Sequence, residues 1–335
     1  MNIKQSTLAA AVTAALAIGA TGQAAASVYA GSSLLISDLS LVIVPTAGSV
    51  TVTGFSFTAN SSAQLNGGAP VITNTTCSTI GTACAGPAPV LDSISNIGRP
   101  GATGFSFYGP GVSDTYAYSH SQIGEAQLVT AQPTTASQIS ESEVAGSGAS
   151  TAQTLVSSQT TLLFSFSVSD SATLTLSFAA DPDLFVKVDT LNLLGALATA
   201  STSATFELTS NNGTSVQWTP NGSASGVALE FDDCVGATCA ETGDAEDLTV
   251  TRSLFPGNPS QNGFSDNRNV ALSDLGAGLF GISLSRLATG TYTLGLTSTT
   301  FTIAEQTVPE PGVLALLGIG LLGMGMSARR SKKLA

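Results

Sequence analysis

From Thr160 to Val188 the chain alternates between apolar and small polar residues. Leu162, Phe164, Phe166 and Val168 take every second position, Ser169-Asp170-Ser171 interrupts them, and Leu174, Leu176 and Phe178 resume the pattern. A period of two puts the apolar set on one face of a strand. Asp181-Pro182-Asp183 is read as a second break before Leu184 to Val188, so three consecutive antiparallel strands are expected here. Leu34 to Val44 and Val50 to Thr58, divided by Pro45 and Gly48, predict two more strands and a turn. Ala204 to Leu208, Ser215 to Trp218, Val227 to Phe231 and Leu248 to Ser253 follow, then Leu279 to Leu284 and Gly290 to Ile303, where Tyr292, Leu294 and Leu296 alternate.

Short strands separated by Gly, Asn and Pro predict a mainly β protein, an antiparallel β-sandwich of jelly-roll or immunoglobulin-like type. The polar region between Gln122 and Gln159, interrupted by Pro133 and Gly146, is expected to be a short helix or a mobile loop outside the core. The phrase Gly-Phe-Ser-Phe occurs at Gly54 and again at Gly104. It reads as strand alternation rather than as an internal duplication.

Both ends depart from this pattern. Lys4 precedes an apolar stretch from Leu8 to Ala20, and Ala24-Ala25-Ala26 offers the small residues of a signal peptidase site, so residues 1–26 read as a secretory signal peptide. Cleavage is expected after Ala26, with Val28-Tyr29-Ala30 as the second choice. At the other end stand Val308-Pro309-Glu310-Pro311, the uncharged run Gly312 to Ala328, and the basic residues Arg329, Arg330, Lys332 and Lys333. The prolines hold Glu310 in an extended segment. The run spans roughly 25 Å as a helix, at the lower limit for crossing a hydrocarbon core of about 30 Å. The basic residues would stay in the cytoplasm with Glu310 outside. Gly318, Gly320 and Gly323 fit Gly-x-Gly-x-x-Gly, but within this run they suit close helix packing rather than dinucleotide binding.

The order Pro-Glu-Pro, membrane helix, basic tail resembles the PEP-CTERM sorting signal of Gram-negative bacteria, read by the membrane protease-transferase exosortase. The resemblance covers residues 308–335. It implies cleavage close to Pro309-Glu310-Pro311, loss of the transmembrane helix, and a final place at the cell surface or in the extracellular exopolysaccharide matrix. Ser177 to Leu184, Thr251-Arg252-Ser253 and Gly290 to Leu294 are similar to an uncharacterised group of these proteins, the EDSAP type, and bring no activity with them.

The body between the end signals, residues 27–307, is long enough for one large sandwich or two smaller ones. It carries five basic side chains against 21 acidic ones, about minus 16, a balance that repels nucleic acid and anionic lipid. Of its four cysteines, Cys77 and Cys84 lie close together, as do Cys234 and Cys239; in an exported chain they read as two local disulfides, although four cysteines allow three connectivities. The acidic segment around the second pair, with Asp232, Asp233, Asp244 and Asp247, offers oxygen ligands for calcium without the spacing of an EF-hand. No other cofactor is expected.

Catalytic chemistry has little to stand on. The single histidine, His120, sits in an alternating stretch read as an edge strand or surface loop. Asp181 with Asp183, or Glu230 with Asp232 and Asp233, are the carboxylates available for glycoside hydrolysis, and acids at strand ends are usually solvated turn formers. Trp218, Tyr116 and Tyr118 are the aromatics that a carbohydrate-binding module would expose. The sequence thus points to an exported non-enzymatic surface or matrix protein. A carbohydrate-binding module stands as the alternative, and a carboxylate-dependent polysaccharide-degrading enzyme behind it.

Overall fold

A computed structural model of the chain describes residues 26–78, 90–99, 101, 104–111, 115–124, 134–146, 152–188, 195–222, 231–255, 263–266 and 276–306. The described residues form sixteen strands and no helix. The front sheet holds β1 (Ala26–Ala47), β4 (Leu91–Ile97), β5 (Tyr116–Gly124), β6 (Thr134–Gly146), β8 (Ser171–Val188), β12 (Thr238–Asp244), β14 (Gly263–Asp266) and β15 (Gly278–Leu287). The back sheet holds β2 (Val50–Leu65), β3 (Val71–Ser78), β7 (Ala152–Val168), β9 (Ala196–Ser210), β10 (Ser215–Trp218), β11 (Phe231–Val235), β13 (Val250–Leu254) and β16 (Gly290–Gln306). Strand order is β12-β15-β8-β1-β6-β5-β4 in front, with β14 also on β8, and β11-β10-β9-β16-β7-β2-β3 behind, with β13 also on β9. All named pairings are antiparallel. Sixteen strands exceed the seven to nine of an immunoglobulin domain and the eight of a jelly roll.

The strongest alternation folds differently from the expectation. β7 and β8 do not pair as a hairpin: the chain crosses between sheets at Ser169-Asp170, and β8 pairs with β1, β14 and β15. Alternation specifies which face is buried but not which strand lies alongside. Two more crossings, at Gly48-Ser49 and Ala288-Thr289, stack beside this one. The Ser49 amide donates to Ser169 Oγ at 2.7 Å, the Ser169 amide to the Ser49 carbonyl at 3.0 Å, and Thr289 Oγ1 to the Ser169 carbonyl at 3.2 Å. Gly48 has a φ of 72°, the left-handed turn a glycine makes without strain.

Nor does Asp181-Pro182-Asp183 end a strand; β8 runs straight through it. On the side away from β1, β15 pairing stops at Ala180 and β14 pairing starts at Asp183, so the missing proline donor falls in a gap between neighbours. In β1 a register shift between Ile36 and Leu39, with Asp38 at a φ of 53°, moves the inward set from Leu34 and Ile36 to Leu39 and Leu41.

The interior changes character along its length. Toward the crossings it is apolar, with Phe57, Phe164, Phe166, Leu174, Phe206, Trp218 and Tyr292 in one cluster. A smaller apolar cluster at the opposite end joins Val28, Ala30, Val144, Val186, Ala198 and Ala304. Between them the facing side chains are hydroxyls. Ser32 Oγ donates to the Ser201 carbonyl at 2.6 Å, Ser119 Oγ to that of Ser157 at 2.6 Å, and Ser158 Oγ to that of His120 at 2.7 Å. Gln138 Nε2 donates to Thr160 Oγ1 at 2.7 Å and also to Ser298 Oγ. A hydroxyl reaches the opposite backbone only when two sheets lie closer than the usual 10 Å, and small inward residues allow that approach.

The region expected to be helix or loop supplies β6, a buried strand between β1 and β5. Its inward residues Gln138, Ser140 and Ser142 belong to the hydroxyl seam, so its polarity marked a polar interior rather than exposure.

Candidate functional site

Two places concentrate function-bearing chemistry: the end of the sandwich where the chain enters and leaves, and the outer face of the front sheet. At the first, β1 begins at Ala26 and β16 ends at Gln306, which pairs with Ala152 and Ala196. Val28 and Ala30 of β1 share a buried cluster with Ala304 of β16, so both ends of the body emerge at one pole, opposite the crossings. Ala26 is the first residue of β1. Ala24, Pro309, Glu310, Pro311, the run 312–328 and Arg329, Arg330, Lys332 and Lys333 lie outside the described residues. Among the described residues no helix is long and apolar enough to cross a membrane.

At the second place, residues 98, 99, 101 and 104–111 lie across β1, β5 and β6. Arg99 Nε stands 3.1 Å from Glu141 Oε2, and both side chains are buried. Glu141 Oε1 accepts from the Tyr29 hydroxyl at 2.6 Å and from the Tyr108 and Gly109 amides at 2.7 and 2.9 Å. Glu143 Oε1 accepts from the Gly111 amide at 2.6 Å. The Arg99 guanidinium lies 4.1 Å from the centre of the Tyr118 ring, a cation–π contact. Phe107 covers Gly31, where an added Cβ would come within 2.9 Å of the ring. Burial, reinforced by the Glu141 carboxylate, holds the Tyr29 and Tyr116 phenols well above their ordinary pKa. Burial also raises Tyr118, partly offset by Arg99.

This strap corrects two expectations. His120 is not on an edge or surface: it is 4% exposed on a strand flanked on both sides. Its Nε2 is 2.5 Å from Asp92 Oδ1, its Nδ1 is 3.1 Å from the Tyr118 hydroxyl, and Phe105 stacks on its ring at 4.1 Å. Tyr116, Tyr118 and Trp218 are fully buried and form no exposed stacking platform; the Trp218 indole donates to Glu241 at 2.7 Å. Gly104-Phe105-Ser106-Phe107 belongs to the strap and Gly54-Phe55-Ser56-Phe57 to β2, so the shared phrase is no structural repeat. Sequence reasoning missed Arg99 and Glu141, because nothing local distinguishes a buried ion pair from two surface charges.

Cys234 and Cys239 are bridged, linking edge strand β11 of the back sheet to edge strand β12 of the front. Cys77 of β3 is disulfide-bonded and buried, and Cys84 lies outside the described residues. The Cys234–Cys239 bridge therefore joins the two sheets at one edge, more than the loop staple its spacing suggested.

Three of the four calcium candidates accept protein hydrogen bonds. Asp232 Oδ2 accepts from Thr219 Oγ1, Asp244 Oδ2 from the Asn221 and Gly222 amides, and Asp247 Oδ1 from the Thr249 amide, while Asp233 lies on β11. Among the described residues no three acidic, histidine or cysteine side chains are grouped to hold a metal. Asp181 and Asp183 sit two apart on one face of β8, and Glu230 is outside the described residues.

An exported-type β body that ends directly at a sorting segment defines the class. Residues 307–331 match the PEP-CTERM protein-sorting motif, beginning one residue after β16 ends, so the chain carries the signal of an exosortase substrate. No curated protein and no solved structure matches the chain.

Proposed function

We propose that the protein is a non-enzymatic surface or exopolysaccharide-matrix component of a Gram-negative bacterium. Signal peptidase releases it at one end and exosortase processes it at the other. The observation that carries this reading is the abutment of the sorting motif on β16: Gln306 is still buried in the sandwich, and the motif begins at residue 307. The shared pole supports the same order of events, since both junctions with membrane-directed segments leave the body on one side. Calcium and matrix polysaccharide remain ligands to be tried on the exported body.

Expression with and without exosortase tests the processing. Loss of the mass of the apolar run and basic tail is expected only where exosortase is present; an identical tail in both strains overturns the reading. The first cut is testable too. Val28 and Ala30 are buried, and Tyr29 bonds Glu141, so cleavage after Ala30 would remove part of the fold. N-terminal sequencing of the mature protein should give Ser27; Gly31 would contradict the assignment.

A further inference from the structure

The outer face of the back sheet is built unlike the rest of this acidic body. Thr205, Thr297, Thr161, Thr58 and Thr76 stand in register across β9, β16, β7, β2 and β3. The hydroxyls of Thr58, Thr161, Thr205 and Thr297 have no protein hydrogen-bond partner among the described residues. Toward the open pole the same face carries Leu155, Phe301 and Ile303, and on the other side of the threonine row Leu163, 40% exposed. Across these five strands the outward charges are Glu207, on β9 at the side of the five strands, and Glu305, at the chain-exit pole.

We infer that this face is a self-association surface, packing against the same face of a second copy of this chain. Three observations select that occupant. A body near minus 16 repels its own copy everywhere except where charge is absent, and this face is nearly uncharged. Aliphatic and aromatic side chains with few charges among them are the composition of an interface centre, whereas a polysaccharide platform would present flat rings. The area also suffices: five strands by the length from Thr291 to Ile303 is roughly 24 by 40 Å, on the order of 1,000 Å² against about 800 Å² per partner in a stable complex. The chain's own interior shows the chemistry, because hydroxyl-bearing sheet faces already bond across to each other there.

Sedimentation velocity tests the inference on the exported protein and on the full-length chain in detergent, each as wild type and as Thr161→Lys/Thr297→Lys. The wild type is expected to be a dimer. The variant should be a monomer, weakened about a hundredfold or more by like charges meeting across the interface, with unchanged circular dichroism. Thr161→Asn/Thr297→Asn should keep the dimer. If the lysines disturb folding, Leu163→Glu supplies the same reading from a more exposed position. A monomeric wild type, or a dimer indifferent to these substitutions, overturns the inference, as does a monomer that binds a neutral glucan through the same residues. Tail processing is scored separately by mass, so failure here leaves the sorting reading untouched.

Discussion

Near the crossings the two sheets are held apart by Phe164, Phe166, Phe206 and Tyr292; around β6 they are drawn together by Gln138, Ser140, Thr160, Ser298 and Thr300. Both regions are fully buried, yet they are stable for different reasons. The apolar end gains from removing large side chains from water, roughly 25 cal/mol per Å². The hydroxyl seam gains little from transfer and depends on its hydrogen bonds, since an unmet buried hydroxyl costs about 1–3 kcal/mol; the buried Thr202 and Thr302 hydroxyls already lack a partner among the described residues. One region tolerates imperfect geometry better than the other.

The largest effect that would sharpen this contrast is expected at the apolar end. Phe166 is fully buried and stacks on Tyr292 with ring centres 5.2 Å apart. Phe166→Ala should cost about 3–5 kcal/mol, read as a lowered denaturation midpoint at unchanged m-value. A loss below about 1 kcal/mol, the scale of one hydrogen bond, would show that the aromatic end is not the dominant store of stability.

The strap offers a polar burial of comparable expected size with a different signature. Glu141→Ala leaves Arg99 buried without its carboxylate and should cost about 3–5 kcal/mol. The double variant Arg99→Met/Glu141→Leu should recover only the part owed to the orphaned charge, because the Tyr29 hydroxyl and the Tyr108 and Gly109 amides still lose their acceptor. Equal losses in the single and double variants would mean that the unmet Tyr29, Tyr108 and Gly109 donors, rather than the orphaned charge, carry the penalty.

How much of this was legible follows from the same contrast. Where burial is apolar, the alternation of β7 and β16 announced strands and buried faces correctly, and β10 was placed at Ser215–Trp218 to the residue. Where burial is polar, the sequence carried no such mark. Thr134 to Gly146 looks like loop because Gln, Ser and Glu occupy so many of its positions, yet Gln138, Ser140 and Glu141 are matched by a hydroxyl or guanidinium from far along the chain. Partner choice was equally hidden: β7 and β8 are separated by two residues and lie in different sheets. The sorting motif was legible because its information is local, a fixed order of proline, apolar and basic residues that needs no tertiary partner.

Alkaline titration probes the strapped face without substitution. Tyr29, Tyr116 and Tyr118 have raised pKa values in the folded chain, so above the unfolded tyrosine value, about 10, the unfolded state holds fewer protons than the folded one. Stability should therefore be full below that pH and fall as pH rises beyond it. Absorbance at tyrosinate wavelengths should show these three phenols ionising only together with loss of the near-ultraviolet dichroism. Five phenols titrating smoothly in a folded chain would break the assignment of a dry strap.

The smallest expected effect is the most specific to the seam. Ser140 Oγ lies 2.8 Å from Thr300 Oγ1 and donates to the Thr300 carbonyl at 3.1 Å, both side chains fully buried on opposite sheets. Ser140→Ala should cost about 1 kcal/mol; the change in side-chain volume is too small to open a cavity, so the loss reports the unmet Thr300 hydroxyl. Thr300→Val should cost less, because Ser140 Oγ keeps its bond to the Thr300 carbonyl. The double variant replaces both polar groups by apolar ones of nearly the same shape and should be less destabilised than the sum of the two, with a coupling of about 0.5–1.5 kcal/mol. Additive losses would show that the hydroxyls act independently and that close approach of the sheets, rather than bonding between them, holds the middle of the sandwich.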